Sequence, residues 1–234
     1  MNYPKYPSRE RAGKILAQYL EKENNTLFHK VNNNPNFGFS FAIPNGGIPV
    51  AEGFCNSLKI QYDIIIVRKI KIPYNPEAGF GSITTDGTIL LNQDLIAYLG
   101  LTENEINSSI NQTKKEIIER RNYYKKSEIS EKHYNEIISN KEIFMIDDGL
   151  ASGFTMLAAI KMVKKYRPNS ITIAVPTAPR KTINLIKSEV DNIICPNIRN
   201  VLQFAVADAY QIWYDVSNEE TLEMLTKSAY YHNI

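Results

Sequence analysis

The sequence predicts an α/β fold: a mainly parallel, twisted sheet flanked by helices, with a small hairpin and helical hood or cap. Three observations carry this. Short β-rich runs alternate with helical stretches along the 234 residues, the order of repeated βαβ units. The run YDIIIV at 62–67 is predominantly apolar without alternation, as a strand buried on both faces is. Turn chemistry punctuates the alternation at Pro44-Asn45-Gly46-Gly47 and at Asp86-Gly87.

The first helix runs over 8–23, with Ser8 as its N-cap and Ile15, Leu16, Tyr19 and Leu20 on one face. The Asn-rich stretch 24–36 reads as loop, at least in part. Residues 37–43 read as a strand, and the turn at 44–47 opens a helix over 48–58. The next strand is 62–68. A long Pro- and Gly-rich loop, IKIPYNPEAGFGS, follows, and residues 82–85 and 88–91 flank Asp86-Gly87 as a hairpin. Residues 93–140 form an insertion or cap, helical and polar over 102–140 without a wide apolar stripe. Strands at 141–146, 170–175 and 191–195 then alternate with helices at 153–166 and 179–188, and a last helix spans 218–228. No repeat or linker divides the chain, so 1–234 is read as one domain.

Composition narrows the function. With 27 Lys and Arg against 25 Asp and Glu, the formal net charge is +2. That balance argues against a broad nucleic-acid or membrane-surface binder. No apolar run is long enough to span a bilayer, the first residues lack the apolar centre of a signal peptide, and two cysteines make no disulfide framework. A reducing cytoplasm is the expected compartment. Cys55 and Cys195 read as packing residues, and His29, His133 and His232 show no metal-ligand spacing. The basic run Lys114, Lys115, Arg120, Arg121, Lys125 and Lys126 is interrupted by Glu116 and Glu119 at helical spacing, which reads as an ion-paired solvated face. Tyr210 and Trp213 are read as packing the C-terminal helix, with stacking on a base as the alternative.

The chemistry concentrates in KEIFMIDDGLASGFTMLAAIKMV, residues 141–163. A buried strand delivers Asp147 and Asp148 to its C-terminal end, the edge at which open parallel sheets bind ligands. Small residues Gly149, Ala151 and Gly153 then lead directly into a helix, so backbone N–H groups can approach an anion, and Ser152 and Thr155 add hydroxyls. The helix N-terminus contributes about 0.3–1 kcal/mol toward an exposed anion. Carboxylates do not favour an anion beside them; they accept from vicinal hydroxyls or hold Mg²⁺, directly or through water. Phosphate on one side and a diol on the other describe a ribose 5-phosphate, so the residues alone point to a phosphorylated sugar or a nucleotide. An isolated Asp-Asp is more often a solvated pair; it is the whole strand–acid–small–helix pattern that is specific.

Residues 143–155 resemble the phosphoribosyl-pyrophosphate signature of the type I phosphoribosyltransferases. The likeness extends to a bacterial and archaeal subgroup of that family through Arg9, Ala12-Gly13 and Leu16-Ala17, AIPNGGIPVA at 42–51, VRKIKIPYNPEAGFGSI at 67–83, Glu119-Arg120-Arg121 with Tyr124, AVPTAP at 174–179, residues 191–195, the stretch from Phe204-Ala205-Val206 to Trp213, and residues 217–225. The resemblance implies Mg²⁺-dependent transfer of phosphoribose from phosphoribosyl pyrophosphate to an acceptor, purine-like as a first guess, with release of pyrophosphate. It implies that Asp147 and Asp148 hold the ribose hydroxyls and Mg²⁺, and that Gly149, Leu150, Ala151, Ser152, Gly153 and Thr155 hold the 5-phosphate. It further implies that Asn45, Gly46 and Gly47, with Arg68 and Lys69, hold the pyrophosphate. Lys69 joins the acid pair as a catalytic candidate. The loop 70–81, between the anion site and the hairpin, has the Pro and Gly content of a lid that closes to exclude water. The resemblance implies a non-proline cis peptide in the first loop and a homodimer, common among relatives. The subgroup usually has arginine where this chain has Asn45. Either pyrophosphate binding is weaker or Arg68 and Lys69 compensate. Two rivals remain at this level: a non-catalytic sensor of phosphoribosyl pyrophosphate or a nucleotide, and a phosphoribose or nucleotide hydrolase.

Overall fold

The computed structural model describes residues 4–126 and 130–232. Ser8 caps the first helix, α1 (Arg9–Glu23), its hydroxyl accepting from Arg11 N–H. The Asn-rich stretch read partly as loop contains a second helix, α2 (Asn25–Asn33). Asn24 caps it, accepting from Leu27 N–H at 3.0 Å, and Leu27 and Val31, one turn apart, bury its inner face. Side-chain capping and an i, i+4 apolar pair outweigh the poor helix propensity of Asn. β1 (Gly38–Ala42) and α3 (Gly47–Leu58) follow as expected.

The apolar run after α3 is not one strand. β2 (Tyr62–Ile64) pairs parallel to β1, whereas β3 (Val67–Ile72) leaves the main sheet and pairs antiparallel with β4 (Asn75–Thr84). Ile66 N–H donates to Thr85 Oγ1 at 2.7 Å, which draws the chain off the sheet, while Ile65 and Ile66 stay buried. The expected long loop is therefore mostly hairpin, turning at Pro73-Tyr74 with register shifts after Ile70. β5 (Ile89–Leu91) completes this small antiparallel sheet across the Asp86-Gly87 turn. The sequence misled here because Pro and Gly are tolerated where a short edge hairpin bulges.

The cap consists of α4 (Gln93–Leu99) and α5 (Glu103–Tyr123), the latter burying only Thr113 and Ile117. α6 (Glu131–Ile138) is different: Tyr134, Ile137 and Ile138 lie in the main core, so the insertion read over 93–140 gives its last helix to the central layer. β6 (Glu142–Ile146), α7 (Phe154–Lys164), β7 (Ser170–Ala174), β8 (Thr177–Pro179), α8 (Arg180–Ile186), β9 (Asn192–Ile194), β10 (Asn197–Arg199) and α9 (Asn218–Lys227) complete the order.

The main sheet is wholly parallel, ordered β2-β1-β6-β7-β9. Its strands alternate between two apolar layers: Phe144 and Ile146 face the side of α1 and α3, and Ile143 and Met145 face the side of α6 and α7. β8 and β10 form a separate parallel pair that the sequence did not announce. β1 and β6, adjacent in the sheet, both end toward the same edge, and there the candidate site lies.

Candidate active site

β6 carries Asp147 and Asp148 out of the sheet, and the first loop, 43–46, closes over them. Ile43 N–H donates to Ile146 O at 2.9 Å. A Cβ at Gly46 would lie 2.0 Å from Asp148 Oδ2, so only glycine permits this approach. The Pro44–Asn45 peptide is cis, as the family resemblance implied.

The acid pair is not at an exposed loop edge. Asp148 Oδ2 accepts from Arg9 Nε at 2.9 Å, with 14% and 6% of the two side chains exposed. Arg9 in turn lies 4.1 Å from the centroid of the Trp213 ring and donates through Nη1 to Tyr214 O at 3.0 Å. Tyr210, 2% exposed, donates its hydroxyl to Asp148 O at 2.7 Å. Asp147 Oδ1 accepts from Asp148 N–H at 2.8 Å. Burial raises Asp147 well above the ordinary carboxylate range, and the neighbouring Asp148 raises it further. Burial raises Asp148 too, opposed by Arg9. Trp213, read as packing the C-terminal helix, has its ring against Arg9 and Tyr210. The sequence had brought Arg9 forward only as part of the opening helix; no local signal pairs it with a residue 139 positions away.

The loop after the acid pair divides its labour. Gly149 and Leu150 are buried; Leu150 N–H donates to Thr177 O at 3.0 Å, so both support the loop. Ala151, Ser152 and Thr155 are exposed. Gly153, at φ +79°, turns the chain into α7 and offers no side-chain cap. Ser152 Oγ accepts only a long 3.4 Å bond from Phe154 N–H. The N-cap residue of α7 therefore supplies no side-chain acceptor to the helix's first turn. A cavity of about 310 Å³ separates this loop from the hairpin; Lys69, Ser82, Asn92, Ser152 and Thr155 are among its walls. Ser152 also borders a second cavity, of about 690 Å³, walled by Lys181, Leu185, Leu202 and Phe204.

Arg68 and Lys69, grouped in the sequence, are separated by the pleat of β3. Lys69 faces the α7 loop and donates to Glu77 O. Arg68 interacts with the cap residues Arg120 and Tyr124; burial lowers its pKa, and the charge of Arg120 lowers it further. Asn45 is engaged on both ends of its amide: Nδ2 donates to Val216 O at 2.7 Å and Asn218 Oδ1 at 3.2 Å, and Oδ1 accepts from Arg120 Nη2 and, at 2.7 Å, from Tyr124 OH. The basic run of α5 is therefore not one solvated face, since Arg120 turns inward and Lys126 pairs with Asp63, both fully buried. Cys55 and Cys195 are buried packing residues whose thiols burial pushes up. His133 and His232, distant in sequence, stack at 5.6 Å. Among the described residues no group of three or more His, Cys, Asp or Glu is placed to hold a metal, and no helix is long and apolar enough to cross a membrane.

The parallel sheet thus presents, at the tip of β6, paired acids beside the start of α7. The phosphoribosyl transferase domain matches residues 12–209, and the chain belongs to that family. It is 27% identical, over 187 residues, to proteins named "Putative phosphoribosyl transferase" in two strains of Mycobacterium tuberculosis. The match covers 80% of this chain and 41% of those relatives, so the chain spans less than half their length. The fold is shared with the crystal structure of TT1426 from Thermus thermophilus, at a TM-score of 0.72 and 21% identity, covering 94% of this chain and 97% of that one.

Proposed function

We propose that the protein is a phosphoribosyltransferase that uses phosphoribosyl pyrophosphate with Mg²⁺ and transfers phosphoribose to a small-molecule acceptor. The observation that carries this reading is the juxtaposition of Asp147 and Asp148 with the uncapped start of α7. Ser152 and Thr155 hydroxyls and the 151–155 backbone take the 5-phosphate, and Lys69 supplies a cation across the 310 Å³ cavity. The acid pair accepts from the ribose hydroxyls.

The donor set fits Mg²⁺ that arrives on the substrate. Two carboxylates, one already paired with Arg9, are too few to cage it alone, but Mg²⁺ is commonly held by one or two carboxylates plus phosphate oxygens and water. When bound it offsets negative charge on the departing pyrophosphate. In the reaction the C1–oxygen bond to pyrophosphate breaks, pyrophosphate leaves with the bonding pair, and an acceptor nitrogen bonds to C1 and then loses its proton. The protein fixes both ends of the sugar and keeps water away from C1. The apolar 690 Å³ cavity bordering Ser152 is the acceptor's proposed place, with Phe204 offering a ring for stacking.

Pyrophosphate release from phosphoribosyl pyrophosphate over a panel of bases tests the proposal. Base-dependent release supports it. Binding without turnover on any base favours the sensor, and pyrophosphate or phosphate release without a base favours the hydrolase.

A further inference from the structure

We propose that Arg120, delivered by the cap helix α5, joins Arg68 in a two-guanidinium site beside the first loop that takes the pyrophosphate group. The inference rests on the phosphoribosyltransferase reading and names the residues that hold its leaving group. Thr113, Ile117, Arg120 and Tyr124 recur at helical spacing, so Arg120 lies on the inward face of α5. Its Nη2 donates to Asn45 Oδ1, a neutral acceptor that leaves the guanidinium charge uncompensated. Arg68 comes from the opposite side, on the hairpin, and its Nε is buried with no hydrogen-bond partner.

Among the described residues neither arginine has a carboxylate within ion-pair distance. Glu116, an acid whose charge acts on Arg68, is held by Lys71 at 3.2 Å. Two guanidiniums brought together at the first loop, one with a buried donor that has no hydrogen-bond partner, suit an anion that both can bind. Planar forked donors suit phosphoryl oxygens, which accept two parallel bonds at once. Position fixes which phosphoryl group. Asn45 adjoins Gly46, which touches Asp148, whereas neither arginine lines the cavity of Lys69, Ser152 and Thr155. The acid pair therefore has one anion site at the first loop and another at α7, and phosphoribosyl pyrophosphate carries an anionic group at each end of its diol. In this chain the charge that Asn45 does not supply comes from the cap.

Calorimetric titration of inorganic pyrophosphate with Mg²⁺, and separately of ribose 5-phosphate, tests this on the full chain. Arg120→Gln is expected to weaken pyrophosphate about tenfold to a hundredfold, the range for a charged hydrogen bond, with ribose 5-phosphate changed less than about twofold. Adding Asn45→Arg to Arg120→Gln is expected to restore most of the loss, which a merely structural clamp would not allow. Unchanged pyrophosphate affinity in Arg120→Gln overturns the inference, as does equal loss of both ligands without rescue. A wild-type chain that binds ribose 5-phosphate but not pyrophosphate overturns it and leaves the 5-phosphate cradle standing. Binding of neither overturns the functional reading and this inference with it.

Discussion

Asp147 is a carboxylate that the fold makes costly to ionise, because burial and Asp148 both raise its pKa. The sign of the consequence follows. The folded state holds its proton to higher pH than the unfolded chain, so the favourable contribution is present in acid and is lost as pH rises above the ordinary carboxylate range. Asp147→Asn should therefore raise the melting temperature of the ligand-free protein at neutral pH by a few degrees, about 0.5–2 kcal/mol, and the gain should shrink on acidification. In the proposed function ligand binding has the opposite sign, since there the ionised pair accepts from the sugar; affinity for phosphoribosyl pyrophosphate should fall on acidification, starting above the usual carboxylate range near 4. Arg9→Gln leaves Asp148 without its cation. We expect a stability loss of about 1–3 kcal/mol by thermal melting and a shift of that binding profile to higher pH. Asp147 and Asp148 were legible because the strand, acids, small residues and helix are contiguous. Arg9 was not, because its meaning lies in a contact between chain ends that no local period encodes.

Among the elements, two loops and one hairpin make the candidate site. Gly46 lets the first loop rest against Asp148, and any side chain there would meet the carboxylate. Gly46→Ala should reduce ribose 5-phosphate affinity by at least about tenfold while circular dichroism still reports a folded chain, the overpacking cost being about 1–3 kcal/mol. Wild-type affinity in that variant would remove the loop from the site. Phe204→Ala should raise the acceptor KM several-fold with little change in affinity for phosphoribosyl pyrophosphate, measured by steady-state kinetics over acceptor concentration; an unchanged KM would place the acceptor elsewhere. The strands of the main sheet were legible from their apolar runs. The hairpin of β3 and β4 was not: its prolines and glycines read as loop, and pairing that sets Lys69 against Ser82 and Val67 against Thr84 is a tertiary decision. The same pleat parts Arg68 from Lys69, which sequence adjacency had joined.

At the level of the whole molecule, the chain brings distant segments to one edge. Tyr6 N–H donates to Ala209 O at 2.8 Å and Gln211 N–H to Tyr6 O at 2.9 Å, so the C-terminal strap is stitched beside α1 and lays Trp213 over Arg9. The cap reaches the first loop through Arg120 and Tyr124, and the hairpin reaches the α7 loop through Lys69. The proposed sugar-binding edge is thus held by parts of the chain that share no sequence neighbourhood, and ligand at that edge should stabilise the fold by mass action. The most direct measurement is the melting temperature of the wild type and of an Asp147→Asn/Asp148→Asn variant, with and without phosphoribosyl pyrophosphate and Mg²⁺. A concentration-dependent rise of several degrees in the wild type, abolished in the variant, is the predicted result; an equal rise in both, or none in the wild type, would contradict a sugar held at the tip of β6.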